Sequence, residues 1–282
     1  MWRPRRATSR ELETGDRLGE YSLESLVGEG GMGLVFRAVD GDGKVVALKV
    51  LKRELGEDEV FRQRFNQEAR AAAEVHHPNL LPIYAAGEAE GRHYLVVRYA
   101  EGGSLDERIR ESGALEVDAT LRLAEQLASG LDALHDAGLV HRDVKASNVV
   151  FDPEGTGMLT DFGLAKGRAY TVLTRPGQVL GTAEYLAPEL VRGERATPAT
   201  DVYALGCMVC ECLTGKTPFS DKTLAQIVIA HLDEDPPDPS VVRPEIGPEL
   251  GPAALTALEK EPAGRPQSAG AYAALLSAAS NP

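Results

Sequence analysis

The stretch 28-GEGGMGLVF-36 places glycine at 28, 30 and 33, the spacing G-x-G-x-x-G. Glycines at this spacing let backbone N–H groups approach phosphate oxygens with no Cβ in the way. Two unrelated settings use it. In one, a strand precedes the glycines and a helix follows, with a dinucleotide's pyrophosphate at the helix N-terminus. In the other, strands flank the glycines, which form the tip of a hairpin. The run 34-LVFRAVD-40 alternates apolar with polar residues, carries Val and Phe, and meets the turn 40-DGDG-43. That is strand periodicity, without helical periodicity. Glu54 stands about where a dinucleotide's ribose-binding acid would, so distance alone leaves both settings open. The flanking pattern favours the hairpin.

Working outward, strand-like runs cover 21-YSLESLVG-28, 44-KVVALKVL-51, 82-PIYAAGE-88 and 93-HYLVVRY-99. One helical pattern interrupts them, 57-EDEVFRQRFNQEARAAAEV-75, with Val60, Phe61, Phe65, Ala69 and Ala72 in period. Near residue 100 the texture changes. Helices are expected near 117–137, 199–214, 221–232, 249–259 and 267–279. Between them, 139-LVHRDVKASNVVF-151 and 157-GMLTDFG-163 are apolar runs broken by polar residues, where chemistry tends to sit. The expected class is α+β, a small β-rich part with one main helix and a larger helical part. The expected boundaries are a flexible basic tail at 1–20, a first lobe at 21–98 and a second at 99–279.

The 282 residues, 43% hydrophobic and 26% charged, suit an ordinary globular protein of one large domain or two lobes. A net charge of −13 argues against nucleic acid as a partner, because backbone binding needs clustered Lys and Arg. No apolar run approaches the roughly 18 residues of a membrane span. The opening MWRPRRATSR has no apolar segment behind it and is no secretory signal. It reads as a tail, with RRATS as an alternative docking or modification segment. Cys207, Cys210 and Cys212 fall in the helical run 202-VYALGCMVCECLTG-215. No second Cys/His pair stands at metal-ligand spacing, so they read as core thiols in a reducing cytoplasm.

Several motifs stand in order along the chain: 28-GEGGMGLV-35, 46-VALK-49, 141-HRDVKASN-148, 161-DFG-163, 181-GTAEYLAPE-189 and 264-GRPQSA-269. Together they resemble the eukaryotic-like serine/threonine protein kinases, above all the bacterial members, over residues 20–278. The resemblance implies the bilobal kinase fold and transfer of the γ-phosphate of ATP to protein hydroxyls. Mg²⁺ is implied as cofactor, with Mn²⁺ as a substitute. Gly28, Gly30 and Gly33 would cover the phosphates, and Lys49 would hold the α- and β-phosphates with Glu68 as its ion-pair partner. Glu74 is the competitor for that pairing, at the helix end. The adenine would lie among Val27, Val35, Ala47 and Val150. Val97 would stand behind it, and the backbone of Arg98 and Ala100 would bond its edge.

Asp143 would then be the catalytic base, Lys145 would neutralise the transferring phosphoryl group, and Asn148 and Asp161 would bind the metal. His141 reads as a packing residue. Thr182 would bond Asp143 and Lys145, Glu189 would pair with Arg265, and Asp201 would brace the catalytic loop. Arg142 before the catalytic Asp implies control by loop phosphorylation, at Thr174 or else Thr171. The implied partners are protein substrates and a second copy for autophosphorylation. A pseudokinase scaffold would lack one of these charged residues, and this chain has them all. A small-molecule kinase would lack the segment at 181–189 and the partner motif at 264–269.

Overall fold

The structure, a computed structural model, describes residues 11–30, 33–56, 59–162 and 183–280. The chain divides into two compact units, Met1–Asp58 with Tyr84–Tyr99, and Glu59–Ile83 with Ala100–Pro282.

The first unit is built on a six-stranded sheet of β1 (Arg17–Leu18), β2 (Tyr21–Glu29), β3 (Gly33–Val39), β4 (Val45–Leu51), β5 (Ile83–Ala89) and β6 (Arg92–Arg98), in the order β1-β2-β3-β4-β6-β5. A four-residue helix, α1 (Arg53–Gly56), follows β4. The hairpin reading of the glycine stretch holds, because β2 and β3 pair antiparallel across it. The turn at 40–43 also forms as expected. Asp40 Oδ1 accepts from the Asp42 and Lys44 amides at 3.0 and 2.8 Å, and Gly43 takes a φ of 85°.

Alternation along β4 sorts its side chains. Val46, Leu48 and Val50 enter a core with Leu18, Tyr21, Leu23, Phe36, Ala38 and Val96, which leaves Ala47 and Lys49 on the other face. Leu18 is fully buried, so the expected tail at 1–20 ends earlier, before β1.

The second unit holds α2 (Glu59–Ala73), α3 (Leu105–Ser112), α4 (Val117–Asp136), the hairpin β7 (Val149–Phe151) and β8 (Gly157–Leu159), α5 (Pro188–Val191), α6 (Pro198–Thr214), α7 (Leu224–Asp233), α8 (Pro239–Val242), α9 (Leu250–Leu255) and α10 (Ala269–Ser280). Helix α6 is largely apolar apart from Thr200, Asp201 and Glu211 and is buried along nearly its full length, Cys207, Cys210 and Cys212 included. It shares one core with Leu127, Leu131 and Leu134 of α4 and Tyr272 and Leu276 of α10.

Two expectations change here. Residues 59–83, expected in the first lobe, belong with the helical unit. Ala72 and Leu80 join its core, and the segment is stitched to β8 by Leu81 N–H to Leu159 O at 2.8 Å and Leu159 N–H to Asn79 O at 2.9 Å. Helix α3 was absent from the sequence reading. Its start is a capping box. The Ser104 hydroxyl accepts from Glu107 N–H at 3.2 Å, and the Glu107 carboxylate accepts from Ser104 N–H at 2.8 Å.

Candidate active site

In the sheet unit, strand register gathers the residues expected around a nucleotide. Gly28 stands opposite Val35, Val35 opposite Lys49 and Lys49 opposite Leu95. One pleat along, Ala47 stands opposite Val97. Directly opposed residues share a face, so Val35, Ala47, Lys49 and Val97 line one surface of the sheet. Arg98 ends β6, opposite Val46. The register slips between Leu26 and Gly28, which makes Val27 the extra residue of a bulge, about half exposed.

The three glycines differ in what they do for the fold. A Cβ on Gly33 would collide with the Val50 carbonyl, so the close approach of β3 to β4 requires glycine there. A Cβ on Gly28 or Gly30 would meet nothing within 4 Å. The Gly30 N–H closes the tip by donating to Gly33 O at 2.9 Å. Met32 lies outside the described residues.

In the helical unit the loop 141–148 is held from below. Asp201 of α6 accepts from the backbone N–H of His141 and Arg142 and from His135 Nε2, each at 2.8 Å. This holds Arg142 at a φ of 65°, a left-handed conformation that a non-glycine residue adopts only under restraint. Asp143 emerges from that turn. Lys145 Nζ lies 3.0 Å from Asp143 Oδ2, and Asn148 Nδ2 donates to the same oxygen at 3.0 Å and to the Asp143 carbonyl at 2.8 Å. His141 is fully buried, packs edge-on to Phe162 at 5.8 Å, and accepts from Asp143 N–H through Nδ1 at 3.3 Å. Burial lowers its pKa, with the charges of Asp201 and Asp143 opposing. It is a neutral packing residue with no route to a substrate proton.

Asn148 and Asp161 flank the open end of the β7–β8 hairpin, where Val149 pairs with Leu159. Asn148 Nδ2 is committed to Asp143, which leaves Oδ1 as the atom for a ligand. Asp161 takes a φ of 63°. An amide oxygen and a carboxylate are the donors a hard cation such as Mg²⁺ takes alongside phosphate oxygens and water, so the residues fit. Val150 sits on β7 opposite Met158, and Ala100 opens the helical unit. Glu68 of α2 lies 3.2 Å from Arg142 Nη1. Glu74 falls just past the end of α2.

The expected Glu189–Arg265 pair is present and fully enclosed. Arg265 uses all five N–H donors. Nη1 and Nη2 reach the two Glu189 oxygens at 2.9 and 2.8 Å, and the rest go to the carbonyls of Ala199, Glu259 and Lys260. Thr200 adds a hydroxyl to Glu189 at 2.8 Å. Burial works to raise the Glu189 pKa, yet the Arg265 bonds outweigh it and hold the carboxyl below its usual range. Thr171, Thr174 and Thr182 lie outside the described residues.

Sequence reasoning missed a second layer. The Tyr185 hydroxyl donates to Glu211 of α6 at 2.5 Å and lies against the Ala146 backbone. Burial pushes the Glu211 pKa up to about 7, with Tyr185 opposing and Glu184 and Asp106 adding to the rise. A carboxylate in the otherwise apolar run 202–215 was the available signal.

A glycine-tipped hairpin over a strand lysine, and a loop presenting Asp143, Lys145 and Asn148 beside Asp161, define a class: the protein kinase fold, with a β-sheet lobe and a helical lobe. The protein kinase domain model matches residues 21–262, and the chain belongs to that family. Among solved structures, the kinase domain of PknI from Mycobacterium tuberculosis matches at a TM-score of 0.77 and 28% identity, covering 95% of this chain and 99% of that one. Among relatives, the serine/threonine-protein kinase PknA of M. tuberculosis is 39% identical over 266 residues, covering 92% of this chain and 61% of its own length. PknE of the same species is 38% identical over 274 residues, covering 95% of this chain and 48% of its own length. The chain therefore spans about half the length of such relatives.

Proposed function

We propose that this chain is a serine/threonine protein kinase domain that transfers the γ-phosphoryl group of ATP to protein hydroxyls. The observation that carries this reading is the Asp143 carboxylate, held at 3.0 Å by both Lys145 and Asn148 on a loop that Asp201 fixes. Asp143 would accept the hydroxyl proton and orient the oxygen for in-line attack, and Lys145 would offset charge on the phosphoryl oxygens. Lys49 would hold the α- and β-phosphates, paired with Glu68, and Gly28, Gly30 and Gly33 would cover them. Val27, Val35, Ala47, Val97, Arg98, Ala100 and Val150 would enclose the adenine. Mg²⁺, or Mn²⁺ in its place, would supply charge neutralisation when bound by Asn148 and Asp161. Most of the rate enhancement would come from positioning and electrostatics.

We further propose autophosphorylation at Thr174 or Thr171, with Arg142 receiving the phosphate, between two copies of the chain in the cytoplasm. It would serve bacterial signal transduction. No described helix is long and apolar enough to cross a membrane. The test is transfer of radiolabel from ATP with Mg²⁺ to the chain itself and to a generic basic protein. Wild type should label both, and Asp143→Asn should lose at least about a hundredfold, the low end for a general base. Undiminished transfer by that variant sinks the reading.

A further inference from the structure

Two carboxylates interrupt the apolar helix α6, and the mechanism above uses only one of them. Asp201 lies in the first turn and Glu211 in the last. Asp201, Ala204 and Glu211 follow the spacing i, i+3, i+10, which puts all three on one face of a helix. That face meets the catalytic loop. Asp201 accepts from the His141 and Arg142 N–H groups, just before Asp143. Ala204 lines one small recess together with Asp143, Val144 and Tyr185.

Tyr185 joins the two ends of that face. Its ring is buried and borders the recess, and its hydroxyl donates to Glu211 at 2.5 Å, the length of a bond onto a charged oxygen. With the backbone fixed at one end and the hydroxyl at the other, the ring has a single placement. The catalytic loop rests beside it by alternation. Val144 and Ala146 are buried in the core that also holds Tyr185, while Asp143 and Lys145 pair with each other at 3.0 Å. Val144 follows Asp143 directly, and close-packed interiors transmit displacement, so a shift of the Tyr185 ring reaches Asp143 through Val144. Packing alone does not account for a carboxyl at 211. Burial raises its pKa to about 7, with Tyr185 opposing and Glu184 and Asp106 adding to the rise. A leucine would fill the position without that cost, so the carboxyl points to a role beyond packing.

We infer that Glu211 is a positioning residue for the catalytic base: through the Tyr185 hydroxyl it fixes the wall beside Val144 and so the placement of the Asp143 carboxylate. Helix α6 thereby holds the loop on both sides of Asp143, by Asp201 before it and by Glu211 through Tyr185 after it. The inference rests on the kinase reading above. It concerns the transfer step and leaves ATP binding apart, because every contact involved lies in the helical unit and none includes Lys49 or the glycine hairpin.

The test uses the whole chain and myelin basic protein as acceptor. Tyr185→Phe removes one oxygen and keeps the ring. Glu211→Leu removes the acceptor, and Glu211→Gln keeps an accepting oxygen. Single-turnover transfer rates are taken at saturating ATP and acceptor and divided by the number of sites that bind a fluorescent ATP analogue, so unfolded molecules do not count. The KM for ATP and thermal melting are measured alongside. Tyr185→Phe and Glu211→Leu should each slow transfer per site about tenfold and leave the KM for ATP within about twofold. Glu211→Gln should stay within about threefold of wild type. The double variant Tyr185→Phe, Glu211→Leu should be no slower than either single one, because the two side chains act as a unit. Transfer per site within about twofold of wild type in Tyr185→Phe, whatever its melting temperature, marks a packing role alone and overturns the inference. So does Glu211→Gln as slow as Glu211→Leu, or a double variant slowed about a hundredfold. No transfer by wild type overturns the kinase reading itself.

Discussion

Replacing Arg265 by methionine keeps most of the side-chain volume and removes five hydrogen bonds. Glu189, 2% exposed, is left with the Thr200 hydroxyl and a backbone N–H as its compensation. The carbonyls of Ala199, Glu259 and Lys260 each lose a donor as well. Breaking a buried ion pair by removing one partner costs about 3–5 kcal/mol. At about 2–4 °C per kcal/mol for a chain somewhat smaller than this one, melting should fall by roughly 6–20 °C. Scanning calorimetry reads this directly. The double variant Arg265→Met, Glu189→Leu should melt well above the single one, because an apolar pair of similar volume needs no charge compensation. The pH dependence follows from the depressed Glu189 pKa. Its contribution to stability is present above the carboxyl's unfolded value, near 4.3, and is lost as pH falls through the lower folded value. Glu189→Gln should therefore flatten the acid limb of the stability profile below about pH 4. A single variant melting within about 2 °C of wild type, or a double variant no better than the single, would refute this account of the pair.

Two further outcomes follow from the geometry. Gly33→Ala should lower melting by roughly 5 °C or more, since its Cβ collides with the Val50 carbonyl, while Gly30→Ala should leave melting unchanged and raise only the KM for ATP. Equal melting losses at the two sites would contradict the distinction. Glu211, with its pKa raised to about 7 by burial, favours the folded state below its unfolded pKa, and that contribution is lost as pH rises through about 7. Glu211→Gln should therefore remove a decline in stability between about pH 4.5 and 7.5, read by melting across that range. An unchanged decline would place the titrating group elsewhere.

The residues proposed to touch reacting groups stand out in the sequence because their chemistry tolerates few substitutes. Asp143, Asn148 and Asp161 announce themselves as polar residues inside apolar runs, and Lys49 as the one charge on an otherwise apolar strand. The hairpin was legible because strand alternation and helical period cannot both fit 34–40. What periodicity hides is the identity of the partner. The pattern of Phe65, Ala69 and Ala72 shows that α2 buries one face, and it says nothing of which core receives that face. The helix was expected with the sheet, whereas Ala72 joins the helical core and residues 59–83 group with the helical unit. The same blindness covers Glu68 and Arg142, 74 residues apart, and Tyr203 and His231, 28 residues apart. Each of those side chains is ordinary in its local sequence, and only the fold brings it to its partner.

The missed α3 differs, because Ser104 and Glu107 did spell a local capping signal, overshadowed by the glycines just before it. That contrast orders the molecule by how its parts are held. Local signals build the elements. The placement of segment 183–189 beside Asp143 depends on Glu211 and Arg265, two buried polar side chains reaching it from separate places in the chain. A buried polar group left unpaired is costly, so each of these contacts penalises any other placement of the segment. The motif reading supplies one of these supports, Arg265 on Glu189, and leaves the other, Glu211 on Tyr185, silent.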